Sequence, residues 1–131
     1  MKNNVPLTIL LLSIALFQAC KPTQHDKSIE TVTIKSEINT SAPDHKMCSS
    51  LNLTKNDIET YFSIATEVDE NEFHREAIIL SCKYVGTIKI SGELLQWEIY
   101  AGGAGYLFNG KSVNKRYLCN KKCCDALKGL C

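Results

Sequence analysis

The sequence lacks the features that mark several functional classes. Beyond Phe17 it has no apolar run approaching the roughly 20 residues that a transmembrane helix needs. It also has no block of like charge, since the 15 Lys and Arg residues less Lys2 leave 14 basic side chains against 14 acidic ones after residue 20. Because nucleic-acid-binding proteins carry a marked basic excess, this balance excludes that class.

Motifs of known catalytic or cofactor-binding centres are also missing. The chain has no Gly-x-Ser-x-Gly elbow, no Cys-x-x-Cys pair, no nucleotide-binding glycine motif and no recognisable frame of paired carboxylates. We therefore predict no catalytic residue, no bound metal, no cofactor and no enzymatic activity. One alternative stays open, a hydrolase with an unrecognised site, in which His74 would act as a base on Ser81 or Cys82.

What the sequence does contain is most distinctive in its first twenty residues. Lys2 is followed by an apolar run from Val5 to Phe17 and then by Ala19 and Cys20. A basic start, an apolar centre and a small residue before the cleavage point are typical of a secretory signal. The alternative that the residues leave open is an ordinary signal peptide cleaved after Ala19, with Cys20 unmodified.

This segment resembles the signal peptide of bacterial lipoproteins, in which the cysteine after the cleavage point becomes the lipidated first residue. The resemblance implies a signal peptide over residues 1–19, a lipid on Cys20 and a place in the bacterial cell envelope, anchored to the membrane. Lys21 stands where an aspartate would imply retention at the inner membrane. The expected location is therefore the outer membrane, with the protein facing the periplasm.

The number of cysteines fits this interpretation. Of seven cysteines, six remain when Cys20 is set aside as the lipid anchor. An even set in an exported chain predicts disulfides. The disulfide candidates are Cys48, Cys82, Cys119, Cys123, Cys124 and Cys131.

Neighbouring cysteines form a strained bond, which argues against a Cys123–Cys124 pair. The pairing we prefer joins Cys48 to Cys82, then Cys119 to Cys123 or Cys124, and Cys131 to the remaining one. A zinc site in the C-terminal cluster is the alternative, but its spacing does not match the usual zinc knuckles. Because Gly129 and several lysines give this tail little apolar surface, we expect reduction to release it before the rest of the domain unfolds.

Composition divides the rest of the chain into a tether and a domain. Residues 20–46 are rich in polar side chains and contain no aromatic residue, which indicates a lipidated flexible tether. Alternation of apolar and polar residues at 30–36 leaves a short edge strand there as an alternative. Residues 47–131 are then a small, disulfide-rich domain.

The pattern of this domain predicts an α+β fold. Over residues 53–68 apolar side chains recur every three or four positions, with Thr54 as N-cap and the acidic run 69–72 as the end, which indicates one N-terminal helix. Period-two alternation and the Asn109–Gly110 turn signal then predict an antiparallel meander of about four strands. These strands are expected at residues 77–91, 94–100, 106–108 and 111–119. We expect the helix to pack on the apolar face of the sheet.

The expected function is protein binding. The order of Leu53–Thr54, Tyr61–Phe62, Cys82 and Trp97 resembles that of small cysteine-containing bacterial envelope proteins, a resemblance that carries no activity. Tyr100 and Tyr106 are the aromatic side chains we expect to face a partner, because Tyr100 lies on the strand face opposite Trp97. The domain would bind an envelope protein or an incoming effector, as an inhibitor or immunity protein does. The competing expectation is a structural accessory of an envelope assembly.

Overall fold

A computed structural model describes residues 27–131, so the segment 1–19 and Cys20 lie outside the described residues. None of the helices between residues 27 and 131 has the length and apolarity needed to span a bilayer. The strands are β1 (Ile29–Ile38), β2 (Thr66–Val68), β3 (Cys82–Ile90), β4 (Glu93–Tyr100), β5 (Ala104–Asn109) and β6 (Ser112–Leu118). The helices are α1 (Lys55–Ile64), α2 (Glu70–Glu76) and α3 (Lys121–Ala126), with a short 3₁₀ turn at His45–Cys48.

The six strands form one antiparallel sheet in the order β1-β3-β4-β5-β6-β2. The predicted combination of a helix, an antiparallel meander and disulfides is confirmed. Two finer predictions are wrong: the sheet has six strands rather than about four, and the first helix is not N-terminal, because β1 precedes it.

Strand β1 also corrects the predicted tether. Ile29–Ile38 pairs antiparallel with β3, with a register shift between Thr31 and Thr33, so this part of residues 20–46 belongs to the sheet. The alternative of a short edge strand at residues 30–36 is therefore correct, and the strand is a little longer than expected. Only Thr31 is buried in β1, and an edge strand with so many exposed polar side chains has the composition of a linker.

Helix α1 covers the apolar face of the sheet, as predicted. Thr54 forms a capping box with Asp57, and Phe62 packs on Trp97 at 6.4 Å and on Tyr117 at 5.4 Å between ring centroids. The helix ends at Ile64 rather than at residue 68, because the chain turns to the extended conformation at Ala65 and forms β2.

The acidic run 69–72 does not close α1; it starts α2. Asp69 is the N-cap and its carboxylate accepts a hydrogen bond of 2.8 Å from the backbone N–H of Glu72. Carboxylates favour the positive end of a helix, which is the physical reason for the difference. Helix α2 inserts the buried Phe73 against Tyr106, at 4.8 Å between ring centroids, on the sheet face opposite α1.

The C-terminal tail has more apolar support than its sequence suggested. Asn120 caps α3, and Leu127 and Leu130 are buried beside the sheet. Gly102 also donates a backbone hydrogen bond of 2.7 Å to the carbonyl of Leu130. The premise that little apolar surface holds the tail is therefore wrong, because two leucines among the lysines reach the core.

Candidate partner-binding surface

The two ends of the sheet differ in character. At one end, which we call the hairpin end, the chain reverses through turns at Ser91–Gly92 and Gly110. At the other, which we call the disulfide end, β1 ends, β3 begins, and the β4–β5 turn and the tail meet. All three disulfides of the described chain, 27–131, lie at this second end.

The disulfides have the predicted pattern. They join Cys48 to Cys82, Cys119 to Cys123, and Cys124 to Cys131, with Cα–Cα distances of 6.0, 5.1 and 5.6 Å. The first bond lies directly after Met47 on one side and after the loop 77–81 on the other. It therefore ties together two segments that have no strand pairing between them.

Those two segments carry large exposed apolar side chains. Met47 is 66% exposed, Ile78 60%, Ile79 49%, and Ile38, at the end of β1, 47%. Met47, Ile78 and Leu80 line a cavity of about 260 Å³, and Leu80 and Ile38 line a neighbouring one of about 600 Å³. We call Ile38, Met47, Ile78 and Ile79 the end surface. Leu80 lines both cavities and so lies between Ile38 on one side and Met47 and Ile78 on the other. Several large apolar side chains left exposed at one end of a sheet are a candidate interaction site.

Hydrogen bonds and close packing fix the loop that carries Ile78. The backbone N–H of Leu80 donates to Ala101 at 3.3 Å. Gly102 has a φ of +97°, and a Cβ there would lie 2.7 Å from Cγ2 of Ile78. Only glycine combines this backbone conformation with so close an approach. The loop is therefore held on two sides.

A third contact joins this loop to the 3₁₀ turn. The backbone N–H of Ser81 donates a hydrogen bond of 2.8 Å to Oδ2 of Asp44. Hydrogen bonding from Ser81 lowers the pKa of Asp44. The 3₁₀ turn with Met47 and the loop with Ile78 are thus connected by a disulfide and by a carboxylate.

The sequence pattern missed this surface because residues 77–81 were expected to be the start of a strand. Strand β3 begins only at Cys82. The signal that could have found the loop is the run Ile78-Ile79-Leu80, since consecutive apolar residues break the period-two alternation of the strand that follows.

Tyr100 and Tyr106 lie on the sheet face opposite α1 and are each partly buried. The Tyr100 hydroxyl donates to Oε2 of Glu98 at 2.7 Å, and Oε1 of the same carboxylate lies 3.0 Å from Nζ of Lys83. Burial raises the pKa of both tyrosines, and in Tyr100 the bond to Glu98 adds to it. Tyr100 also lines the larger cavity beside the end surface, whereas the ring of Tyr106 packs at a tilt against that of Phe73. Their role in partner binding stays a prediction.

The residues of the hydrolase alternative are not brought together. Nε2 of the exposed His74 lies 3.5 Å from Oε1 of Glu70. The backbone N–H of Ser81 donates to Asp44, the hydroxyl of Ser81 is buried with no hydrogen-bond partner among the described residues, and the sulfur of Cys82 is in a disulfide. Within residues 27–131, no hydrogen bond joins His74 to either candidate nucleophile.

Comparison with known proteins supplies no function that could be carried over to this chain. It matches no protein-family model, no curated protein and no solved structure. What can be said of its function therefore rests on its own residues and on the geometry of the disulfide end.

Proposed function

We propose that this protein is a membrane-anchored lipoprotein of the bacterial cell envelope whose folded domain binds a protein partner through the end surface. The observation that carries the proposal is the exposure of Met47, Ile78 and Ile79 on segments that a disulfide holds together. In this proposal the chain has no catalytic role. The partner is an envelope protein or an incoming effector, which the domain inhibits or neutralises.

The size of the end surface supports this proposal. Fully burying a large aliphatic side chain is worth about 1.5–3 kcal/mol. The side chains of the end surface are still 47–66% exposed, so much of that free energy is not used in folding. A partner that covered them would gain it, and interface hot spots form around such apolar anchors.

The rigidity of the loops also supports it. Ordering a loop on binding costs free energy, and a loop that is already fixed avoids that cost. The Cys48–Cys82 disulfide and the contacts of Gly102 and Asp44 fix the segments on either side of the end surface. The exposed apolar side chains of this ordered loop contribute little to the stability of the fold, but they could contact a partner without the cost of ordering the loop.

The experiment compares two matched variants in cells. Ile78→Asp places a charge on the end surface, and Leu94→Asp, 58% exposed against 60% for Ile78, places one near the hairpin end. After cross-linking and purification of the full chain, we expect one specific partner in the wild type and in Leu94→Asp, and its loss in Ile78→Asp. Equal capture by both variants, or no specific partner in the wild type, would contradict the proposal.

The anchor is tested separately, through Cys20. We expect the wild-type chain to fractionate with membranes and to carry acyl mass, and globomycin treatment to block its maturation. A Cys20→Ala chain should lose both the acyl mass and the membrane fractionation. If the wild-type protein carries no acyl mass on Cys20, the lipoprotein part of the proposal is wrong, whatever the partner experiment gives.

A further inference from the structure

The four tail cysteines bring their sulfurs to one place. The Sγ atoms of Cys119, Cys124 and Cys131 all lie within 4.8 Å of one another, although Cys119 belongs to a different disulfide from the other two. The fourth sulfur, that of Cys123, is bonded to Cys119. The two tail disulfides therefore lie against each other.

The backbone around these cysteines has its own supports, which do not depend on the disulfides. The N–H of Cys119 donates to Gly103 at 2.9 Å, and the N–H of Cys123 donates to Oδ1 of Asn120 at 3.0 Å. The buried Leu127 and Leu130 hold the chain between Cys124 and Cys131. The four sulfurs should therefore stay close together when the S–S bonds are reduced.

Close packing at Gly103 supports the same conclusion. A Cβ on Gly103 would lie 3.2 Å from Sγ of Cys131 and 2.7 Å from Cβ of Cys119. The absence of a side chain on the sheet at this point is what lets the sulfurs approach it. Cys123 is fully buried beneath them, whereas Cys131 is exposed, so the cluster is open to solvent on one side.

The chemistry of this cluster suits one particular ligand. A tetrahedral Zn²⁺ site with Zn–S bonds of about 2.3 Å places its sulfurs about 3.8 Å apart. Sulfurs of different disulfides, which lie within 4.8 Å for Cys119, Cys124 and Cys131, are already near this spacing, and the two bonded pairs must move apart once they are reduced. A site of four thiolates around Zn²⁺ carries two negative charges. Lys121, Lys122 and Lys128 against Asp125 give the tail a positive excess that offsets them.

We propose that the tail, once reduced, is a four-thiolate site for one Zn²⁺ ion, formed by Cys119, Cys123, Cys124 and Cys131. Each disulfide takes up two electrons and two protons and yields two thiols: a dithiol supplies both and becomes a disulfide, whereas a phosphine supplies the electrons and becomes a phosphine oxide, with water supplying its oxygen and the two protons. The four thiols release their protons as Zn²⁺ binds. The disulfides and the metal exclude each other, so the tail is a redox-controlled metal site.

The test uses the full chain, reduced with a phosphine without oxygen and loaded with Zn²⁺ or Co²⁺. After gel filtration we expect one Zn²⁺ per reduced chain, none in the oxidised chain, and the absorption of tetrahedral thiolate with Co²⁺. Because even outer-shell changes at metal sites cost about tenfold in affinity, Cys131→Ala should weaken binding by about tenfold or more. Cys131 is exposed, so this variant should keep the fold, which the fluorescence of the buried Trp97 checks.

A matched control removes the two cysteines of the disulfide that lies outside the tail. The double variant Cys48→Ala and Cys82→Ala leaves all four tail thiols and should bind one Zn²⁺ as the wild type does. No zinc on the reduced wild type, or unchanged affinity in Cys131→Ala, overturns the proposal. Zinc binding lost equally in the double variant and in Cys131→Ala would also overturn it, because the metal would then be held by thiols in general.

Discussion

At the hairpin end the chain reverses through short turns, whereas at the disulfide end it leaves the sheet in longer segments that three disulfides hold. A Cβ on Gly92 or Gly110 would meet no atom within 4 Å, but one on Gly102 would meet Ile78. Short turns need only local backbone chemistry. The longer loops of the disulfide end present apolar side chains to solvent and are held by disulfides, which is the order that the proposed binding surface requires.

The largest expected effect comes from removing the bond that joins the two loops. The double variant Cys48→Ala and Cys82→Ala opens a loop with a sequence separation of 34 residues. The chain-entropy model then predicts a loss of about 3–5 kcal/mol in the free energy of unfolding. Guanidinium unfolding followed by Trp97 fluorescence measures it, and a loss below about 1 kcal/mol would mean that the disulfide does not hold this end.

A pair of glycine variants sharpens the comparison between the ends. Both positions have positive φ, so Ala costs about 1–2 kcal/mol at either. At Gly102 the new methyl also meets Ile78, which adds about 1–3 kcal/mol of overpacking. We therefore expect Gly102→Ala to destabilise the domain clearly more than Gly110→Ala in the same unfolding experiment. Equal losses would contradict the close packing of the disulfide end.

The smallest effect concerns pH. Hydrogen bonding from Ser81 lowers the pKa of Asp44 in the folded protein. The carboxyl of Asp44 therefore binds its proton more tightly in the unfolded chain. The stability from Asp44 is therefore present above its ordinary pKa of 3.8 and is lost as the pH falls through the lower folded value. Asp44→Asn should unfold with less pH dependence in this acidic range than the wild type. An identical pH dependence in both proteins would show that the hydrogen bond from Ser81 to Asp44 does not make the stability depend on pH.

Local signals in the sequence were sufficient for much of the fold. The Thr54 cap and the alternation of β4 depend on neighbouring residues, and both appear where they were predicted. The turn predicted at Asn109–Gly110 is displaced by one residue, because Asn109 ends β5 and pairs with Ser112, so that Gly110 and Lys111 form the turn. Parity and strain left about 12 of the 15 possible cysteine pairings, and one of the two pairings that we preferred is present.

Features that depend on the rest of the molecule could not be predicted in this way. Strand β1 was hidden by a polar composition that becomes reasonable only at a sheet edge. The period-two alternation of the following residues predicts a strand from Ala77 onward, but the structure has a loop with the exposed Ile78 and Ile79 before β3 begins at Cys82. The proposed binding surface therefore lies where the local sequence pattern predicts a strand and the structure has an exposed loop.

The most direct test of this account is a map of the cysteines in the purified, unreduced protein. After alkylation and trypsin digestion, we expect no label on the six cysteines after Cys20, and the peptide with Cys48 joined to the one with Cys82. Fragmentation of the tail peptides should assign Cys119 to Cys123 and Cys124 to Cys131. Label on two or more of these cysteines, or Cys48 joined to the tail, would contradict the claim that three disulfides shape the disulfide end of the sheet, where we propose that a partner binds.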